Sequence, residues 1–423
     1  MHTAFLVVAI IAITLQGIAL WLAFFGRGLQ YVVKERPECP LDSPEFSMLL
    51  AFLTEAKLLH NNRFEVLTDG SCFYEAELAA IASARTSINL EAYIFHRGEI
   101  ARRYVEALAE RARAGVQVRL TLDFFGSLST RRSYLKSLLD AGGQLRWYHP
   151  LRIRFIPEFN NRTHRELLIV DGSIAFIGGA GVADWWMKDG VKGKRWRDAV
   201  VRVEGPATAA LQAVFAQNWL RVSGEILTGK DYFAYNEDGR GSPALVVGST
   251  PAAGSTQARI LFQLLIASAR KRIYISTPYF LPSGSARQAL IQAARDRHVE
   301  VKVLTPGDNN DERLTRASSR NLYGSLLKYG IRIYEYLPSM NHTKALMVDD
   351  IWTVVGSTNV DYRSFSINDE VNLAVMDAAI TRRITQDFER DLSQSKEIVY
   401  SDWRKKSRFR IADRLVSILE RQE

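Results

Sequence analysis

Cysteine is nearly absent from this chain: Cys39 and Cys72 are the only two among 423 residues. Two thiols are too few for a disulfide framework or a thiolate metal site. Two free thiols is the simpler reading, with one Cys39–Cys72 bridge as the alternative. Histidine is scarce as well, at positions 2, 60, 96, 149, 164, 298 and 342. No His/Asp/Glu cluster has metal-ligand spacing, so neither a metal nor a cofactor is expected. A composition of 47% hydrophobic and 24% charged residues excludes disorder and collagen-like repeats, and the length suits two to three folding units.

Long apolar runs are also few. One exists, from Ala4 to Phe25, with 22 residues and no charge, and about 20 such residues cross a bilayer. Only Met1, His2 and Thr3 precede it, so the basic start of a secretory signal is missing. The run is read as a retained N-terminal transmembrane helix within an anchor segment, 1–36, rather than a cleaved signal. Arg27, Lys34 and Arg36 follow it, which by the positive-inside rule puts the body in the cytoplasm. Lys plus Arg outnumber Asp plus Glu by 55 to 46. That surplus suits nucleic acid, an anionic membrane or a phosphate-bearing substrate, without choosing among them.

The body is written twice. Ile81-Ala82-Ser83-Ala84-Arg85 returns as Ile266-Ala267-Ser268-Ala269-Arg270. Strand-like runs follow at 87–95 and 272–280, helical patterns at 102–115 and 286–298, and alternating apolar runs at 116–123 and 299–306. Each half closes on a histidine segment, HRELLIVDGSIAFIGGAG (164–181) and HTKALMVDDIWTVVGSTN (342–359). Alternating strands and helices predict an α/β fold, with mixed sheets flanked by helices. The halves are placed at 37–222 and 257–423, joined by a Gly/Ser/Pro-rich linker, 223–256, and are expected to meet about a pseudo-twofold axis.

In a strand, residues i and i+2 share a face, so His342 and Lys344 stand together while Asp349 enters the turn. The returning strand brings Ser357 and Asn359 beside them. Ammonium, hydroxyl, amide and imidazole suit a phosphate ester. His164 and Asp171 hold the same places in the first copy. Two imidazoles across a seam can run a double displacement, one attacking phosphorus and the other protonating the leaving oxygen. Asp171, Asp349, Asp198 and Glu370 are the carboxylates expected to orient the rings, and Glu91 and Tyr279 follow strands that face the seam.

HTKALMVD at 342–349, followed by Gly356-Ser357-x-Asn359, resembles the HxKxxxxD signature of the phospholipase D superfamily. With TPYFLP (277–282) and WRDAVVRVEGPA (196–207), the chain is similar to bacterial cardiolipin synthases over about 45–410. The resemblance implies transfer of a phosphatidyl group between phosphatidylglycerol molecules, making cardiolipin and glycerol through a phosphohistidine, with His164 attacking and His342 as general acid. It also implies anionic phospholipid and membrane, rather than nucleic acid, as partners, and a bacterial inner-membrane location. Two departures stand out. Glu166 replaces the motif lysine, and Gly181 the asparagine. At an effective dielectric of 20, unit charges 4 Å apart interact by about 4 kcal/mol, so reversing this sign predicts a large loss unless Glu166 is protonated or Arg162, Arg165 or Lys194 compensates. Glu166 is therefore an introduced change, a natural variant using another cation, or the mark of an impaired enzyme. A hydrolytic phospholipase D, another phosphodiesterase and a lipid-binding pseudoenzyme are the rival functions. The basic amphipathic stretch 403–419 and the pair Trp185-Trp186 have two readings each, lipid contact or packing.

Overall fold

The computed structural model describes residues 31–150, 160–187, 195–233, 241–251 and 256–407, together with 6, 10, 11 and 14–17. The rest of the apolar run 4–25, residues 408–419 of the basic stretch, and Lys194 lie outside the described residues. Residues 6, 10, 11 and 14–17 are helical. Among the described residues no helix is long and apolar enough to cross a membrane.

Among the described residues fifteen strands form one mixed sheet. They are β1 (Leu58–Thr68), β2 (Ser87–Ala92), β3 (Gln117–Asp123), β4 (Gln144–Tyr148), β5 (Leu167–Val170), β6 (Ile174–Gly178), β7 (Ala199–Glu204), β8 (Ser242–Ser249), β9 (Arg272–Ser276), β10 (Glu300–Pro306), β11 (Arg332–Tyr336), β12 (Ala345–Val348), β13 (Trp352–Gly356), β14 (Glu370–Met376) and β15 (Ser395–Glu397). The order is β15-β11-β10-β9-β12-β13-β14-β8-β1-β7-β6-β5-β2-β3-β4. Leaving out β15, each half repeats the other in reverse about the β8–β1 pair. Within each half three strands run parallel, β2-β3-β4 and β9-β10-β11, and the histidine hairpin lies antiparallel to them.

Separate sheets for the two halves are thus corrected to one. β1 and β8 pair antiparallel, Leu58 opposite Leu245 and Leu59 opposite Ala244, and close what would otherwise be two open edges. β8 lies inside the stretch 223–256 read as linker. Its short Ala-Leu-Val-Val run is buried between β14 and β1, where flanking glycine, serine and proline had dominated the reading.

Alternation sets the core. Leu168 and Val170 of β5 join one apolar cluster and Leu167 and Ile169 another, on opposite faces. In β12, Leu346 and Val348 part in the same way from Ala345 and Met347. Helices cover both faces. Glu99–Arg113 puts Ile100, Tyr104, Val105 and Leu108 against the first half, and Gln257–Ser268 does so for the second. Pro206–Ser223 and Ala378–Ser393 share the opposite face. Local caps fix the starts: Thr256 accepts the Arg259 N–H, and Asp377 accepts from Ala379 and Ile380.

The repeated Ile-Ala-Ser-Ala-Arg has a structural purpose. It ends the helices Gly70–Ser83 and Gln257–Ser268 and delivers a turn of backbone N–H groups. Asp171 accepts those of Arg85, Thr86 and Ser87 at 2.7–3.1 Å. Asp349 accepts those of Arg270, Lys271 and Arg272 at 2.7–2.8 Å. Both aspartates sit at positive φ in the hairpin turn, a conformation that aspartate tolerates better than most residues.

Candidate active site

Each histidine stands just before its hairpin, in an extended segment paired with the opposite half. The His164 N–H donates to the Asp369 carbonyl at 2.9 Å, and the Asp369 N–H to the Arg162 carbonyl at 2.9 Å. The His342 N–H donates to the Arg197 carbonyl at 2.7 Å, and the Arg197 N–H to the Met340 carbonyl at 2.8 Å. These two parallel bridges bring β7 and β14 to the seam, each with a carboxylate at its start.

The rings are held crosswise. His164 Nδ1 lies 3.1 Å from both oxygens of Glu370, a second-half residue. His342 Nδ1 lies 2.9 Å from Asp198, a first-half residue. A carboxylate on Nδ1 places the neutral ring's proton there and leaves Nε2 as the reacting nitrogen. Ser357 donates to Glu370. The Trp186 indole donates to Asp198 at 3.2 Å and the Ala199 N–H at 2.8 Å. Tyr93 packs edge-on against His164 and Trp186 edge-on against His342, while Trp196 lies tilted against His342, all with ring centres 5.3 Å apart.

Lys344 Nζ lies 3.1 and 3.2 Å from the two ring nitrogens of His342. Burial, and then this ammonium, hold His342 below its ordinary value, with Asp198 opposing. Burial likewise lowers Lys344, against the charges of Asp198, Glu370 and Glu166. Room for the lysine comes from the first half: a Cβ on Gly179 would stand 2.9 Å from Nζ.

Both histidines open onto one cavity of about 490 Å³, walled also by Tyr93, Arg162, Tyr279, Asp311, Asn359, Asp361 and Arg363. Of the residues expected here, His164, His342, Asn359 and Tyr279 line it. Tyr279 donates to Asp311 at 2.9 Å. Lys344, Asp198, Glu370 and Ser357 form the layer behind. Glu91 lies deeper, accepting from Thr163 at 2.5 Å and Asn218 at 2.7 Å, and burial raises its pKa to about 7. Asp171 and Asp349 do not join the site. They hold backbone at the far end of each hairpin, because each directly follows the last residue of β5 or β12 and enters the turn. Tyr93, Asp361 and Arg363 escaped the sequence reading. Asp361 caps the short helix Tyr362–Ser366, accepting from the Ser364 N–H at 2.8 Å.

A family model described as "Cardiolipin synthase, PLD-like domain" matches residues 78–219 and 263–392. Cardiolipin synthase 1 of Staphylococcus epidermidis is 36% identical over 350 residues, 82% of this chain and 70% of its own. The chain belongs to this cardiolipin synthase family. The major cardiolipin synthase of Bacillus subtilis is 31% identical over 86% of this chain and 75% of its own length. In the solved phosphatidylserine synthase of Haemophilus influenzae the same fold recurs, with a TM-score of 0.65 at 13% identity over 88% of this chain and 99% of that one.

Within the family motif, Glu166 is not among the residues lining the cavity. It is buried, and its Oε1 accepts the N–H groups of Tyr93 and Ile94, each at 3.2 Å. Burial raises its pKa well above the carboxylate range, only partly offset by those amides and by Lys344. Burial thus favours the neutral carboxyl, which carries no charge to repel a phosphodiester, and so works against the charge-reversal penalty expected from sequence. Of the cations expected to compensate, Arg162 reaches the cavity. Arg165 does not: it is fully buried and donates to the Val214 carbonyl at 2.7 Å. Trp186 packs inside and Trp185 at the cavity wall. Both cysteines are free.

Proposed function

We propose that this protein is a membrane-anchored phosphatidyltransferase that joins two phosphatidylglycerols into cardiolipin and glycerol. The crossed pairs His164–Glu370 and His342–Asp198, opening on one cavity, carry this reading. His164 Nε2 attacks the donor phosphorus, and the P–O bond to the glycerol headgroup breaks. The leaving oxygen takes its proton from His342 Nε2. Burial and Lys344 lower the His342 pKa, and an arriving phosphodiester anion offsets the ammonium and favours protonation. The hydroxyl of a second phosphatidylglycerol then gives its proton to His342 and attacks phosphorus, and the P–N bond breaks. The two halves are related by a pseudo-twofold axis between β8 and β1. The apolar run 4–25 is the anchor, at a bacterial inner membrane, with the body on the cytoplasmic side.

The test is cardiolipin formation from phosphatidylglycerol by the detergent-solubilised protein, read by mass spectrometry beside His342→Ala. Cardiolipin from the parent, reduced at least a thousandfold in the variant, supports the reading. Phosphatidic acid as the main product, even with glycerol added, would make the enzyme a hydrolase. Lipid binding without turnover, also in Glu166→Lys, would leave a scaffold.

A further inference from the structure

We propose that Glu166 is a positioning residue of the reaction: it anchors the backbone of Tyr93 and Ile94, so that the Tyr93 ring backs His164, and Gly181 is the change that makes room for it. The two departures from the family motif then form one exchange. The proposal rests on a single step of the reading above, attack by His164, and not on which acceptor follows.

Tyr93 and Ile94 follow β2 and wall the cavity that both histidines share, with the Tyr93 ring edge-on to His164. Residues 93–95 carry six backbone polar groups, and each has a partner. Ser127 Oγ donates to the Tyr93 carbonyl at 2.9 Å and accepts the Phe95 N–H at 3.1 Å. The Val182 N–H donates to the Ile94 carbonyl at 2.8 Å, and the Thr130 hydroxyl to the Phe95 carbonyl at 2.6 Å. The two groups left, the N–H of Tyr93 and that of Ile94, both donate to Glu166 Oε1. Gly181 does not have a positive φ, so space is what the glycine supplies. A Cβ there would press on the Ile94 carbonyl oxygen and stand 3.0 Å from Glu166 Oε1.

The second half shows why an acceptor is wanted here and a lysine there. Ser87 and Arg272 hold equivalent places at the two turn aspartates, which sets Tyr93 level with Pro278 and Ile94 level with Tyr279. Proline has no N–H, so Lys344 stands where one of the two donors is missing. A lysine at 166 would meet the Tyr93 and Ile94 N–H groups with three more donors and no acceptor. It would also bring a second ammonium toward Lys344, whose charge already reaches Glu166. Pairing with Glu77, which lines a small cavity together with Glu166, would still leave both N–H groups without an acceptor. Burial favours the neutral carboxyl, so glutamine, which keeps a carbonyl oxygen, is the close mimic. Leucine fills a similar volume and accepts nothing.

The test reads glycerol released from phosphatidylglycerol, the product of the first step whether the phosphatidyl group then goes to a lipid or to water. Mass spectrometry of the lipids reports which. Glu166→Gln is expected to stay within about threefold of the parent. Glu166→Leu and Glu166→Lys should each fall about tenfold or more while still folded at the assay temperature, as thermal unfolding reports. In Tyr93→Ala, which has already lost the ring, Glu166→Leu should cost less than about threefold more, because its effect runs through Tyr93. A purely structural role would cost the same in both backgrounds. Where Glu166→Leu does not fold, Gly181→Ala disturbs the same contact from the other side and should also cost about tenfold. Parent-like rates in Glu166→Leu, Glu166→Lys or Gly181→Ala would overturn the proposal. So would a glutamine variant as slow as the leucine one, or a leucine penalty undiminished in Tyr93→Ala. A parent that releases glycerol but makes phosphatidic acid ends the transferase reading alone, and the same rate ratios still decide this proposal. A parent that releases no glycerol ends both.

Discussion

The first half carries His164, Arg165 and Glu166 on the frame that holds His342, Thr343 and Lys344 in the second. Both segments pair with the opposite half, both lead into a four-residue strand, and both end on an aspartate that gathers three backbone N–H groups. The polar dressing differs. The second half has Lys344, Ser357 and Asn359; the first has a buried carboxyl and two glycines, Gly179 and Gly181. The frame therefore depends on backbone hydrogen bonds and alternating apolar residues, which tolerate such changes. The chemistry around each ring is decided side chain by side chain, and here the lysine serves one histidine only.

The sharpest way to break this comparison is through the crossed carboxylates. Asp198→Asn and Glu370→Gln should each cost about a hundredfold in cardiolipin formation, because each leaves one imidazole without its orienting charge. A variant that keeps turnover near the parent's would mean that its carboxylate does not orient a catalytic ring.

The turn aspartates come next, and they bear on stability. Asp349 is buried and Asp171 partly exposed. Asp349→Asn is expected to cost about 2–3 kcal/mol and Asp171→Asn about 1–2, by denaturant unfolding. Partial burial pushes Asp171 up, but the Ser87, Thr86 and Arg85 amides outweigh it and hold its pKa below the ordinary value. Its contribution is therefore present at neutral pH and lost as pH falls through that range. A fall in activity with unchanged stability would return these residues to the catalytic set.

Gly179→Ala tests the loan of space between halves. Its Cβ would also meet Lys344 Cδ at 3.1 Å and the His342 carbonyl at 3.2 Å, so the lysine must move. About a tenfold loss of turnover is expected, with little change in unfolding temperature.

The effect that is smallest at any one step of pH concerns an acid buried under the first half. Glu77 is paired with Tyr104, and burial raises its pKa to about 8. Unfolded, it ionises near pH 4.3, so its folded-state proton stabilises at low pH and that benefit is lost as pH rises toward 8. Between pH 5 and 8, Glu77→Gln should gain on the parent by about 1 kcal/mol per pH unit, seen in thermal unfolding. A constant difference would mean that Glu77 titrates normally.

Much of this was legible in the chain. The doubled order of elements follows from repeated patterns, and His164 and His342 from their matched places in it. The sequence also showed that His342 and Lys344 share a face. Partnership across the seam was harder to read. Asp198 and Glu370 are remote in sequence from the rings they hold, and nothing local says which half each serves. Glu166 was read by its charge, whereas burial and the Tyr93 and Ile94 amides decide its state. β8 was hidden by its flanks, and the fusion of two sheets depends on edge pairing that no periodicity encodes.

The crossed pairing also bears on synthesis. A growing chain completes β1 to β7 before Glu370 exists. At that stage His164 has no carboxylate to hold its ring, and β1 has a bare edge where β8 will dock. The first half alone thus lacks both the second imidazole and the carboxylate on His164, and β1 keeps an unpaired edge until β8 arrives.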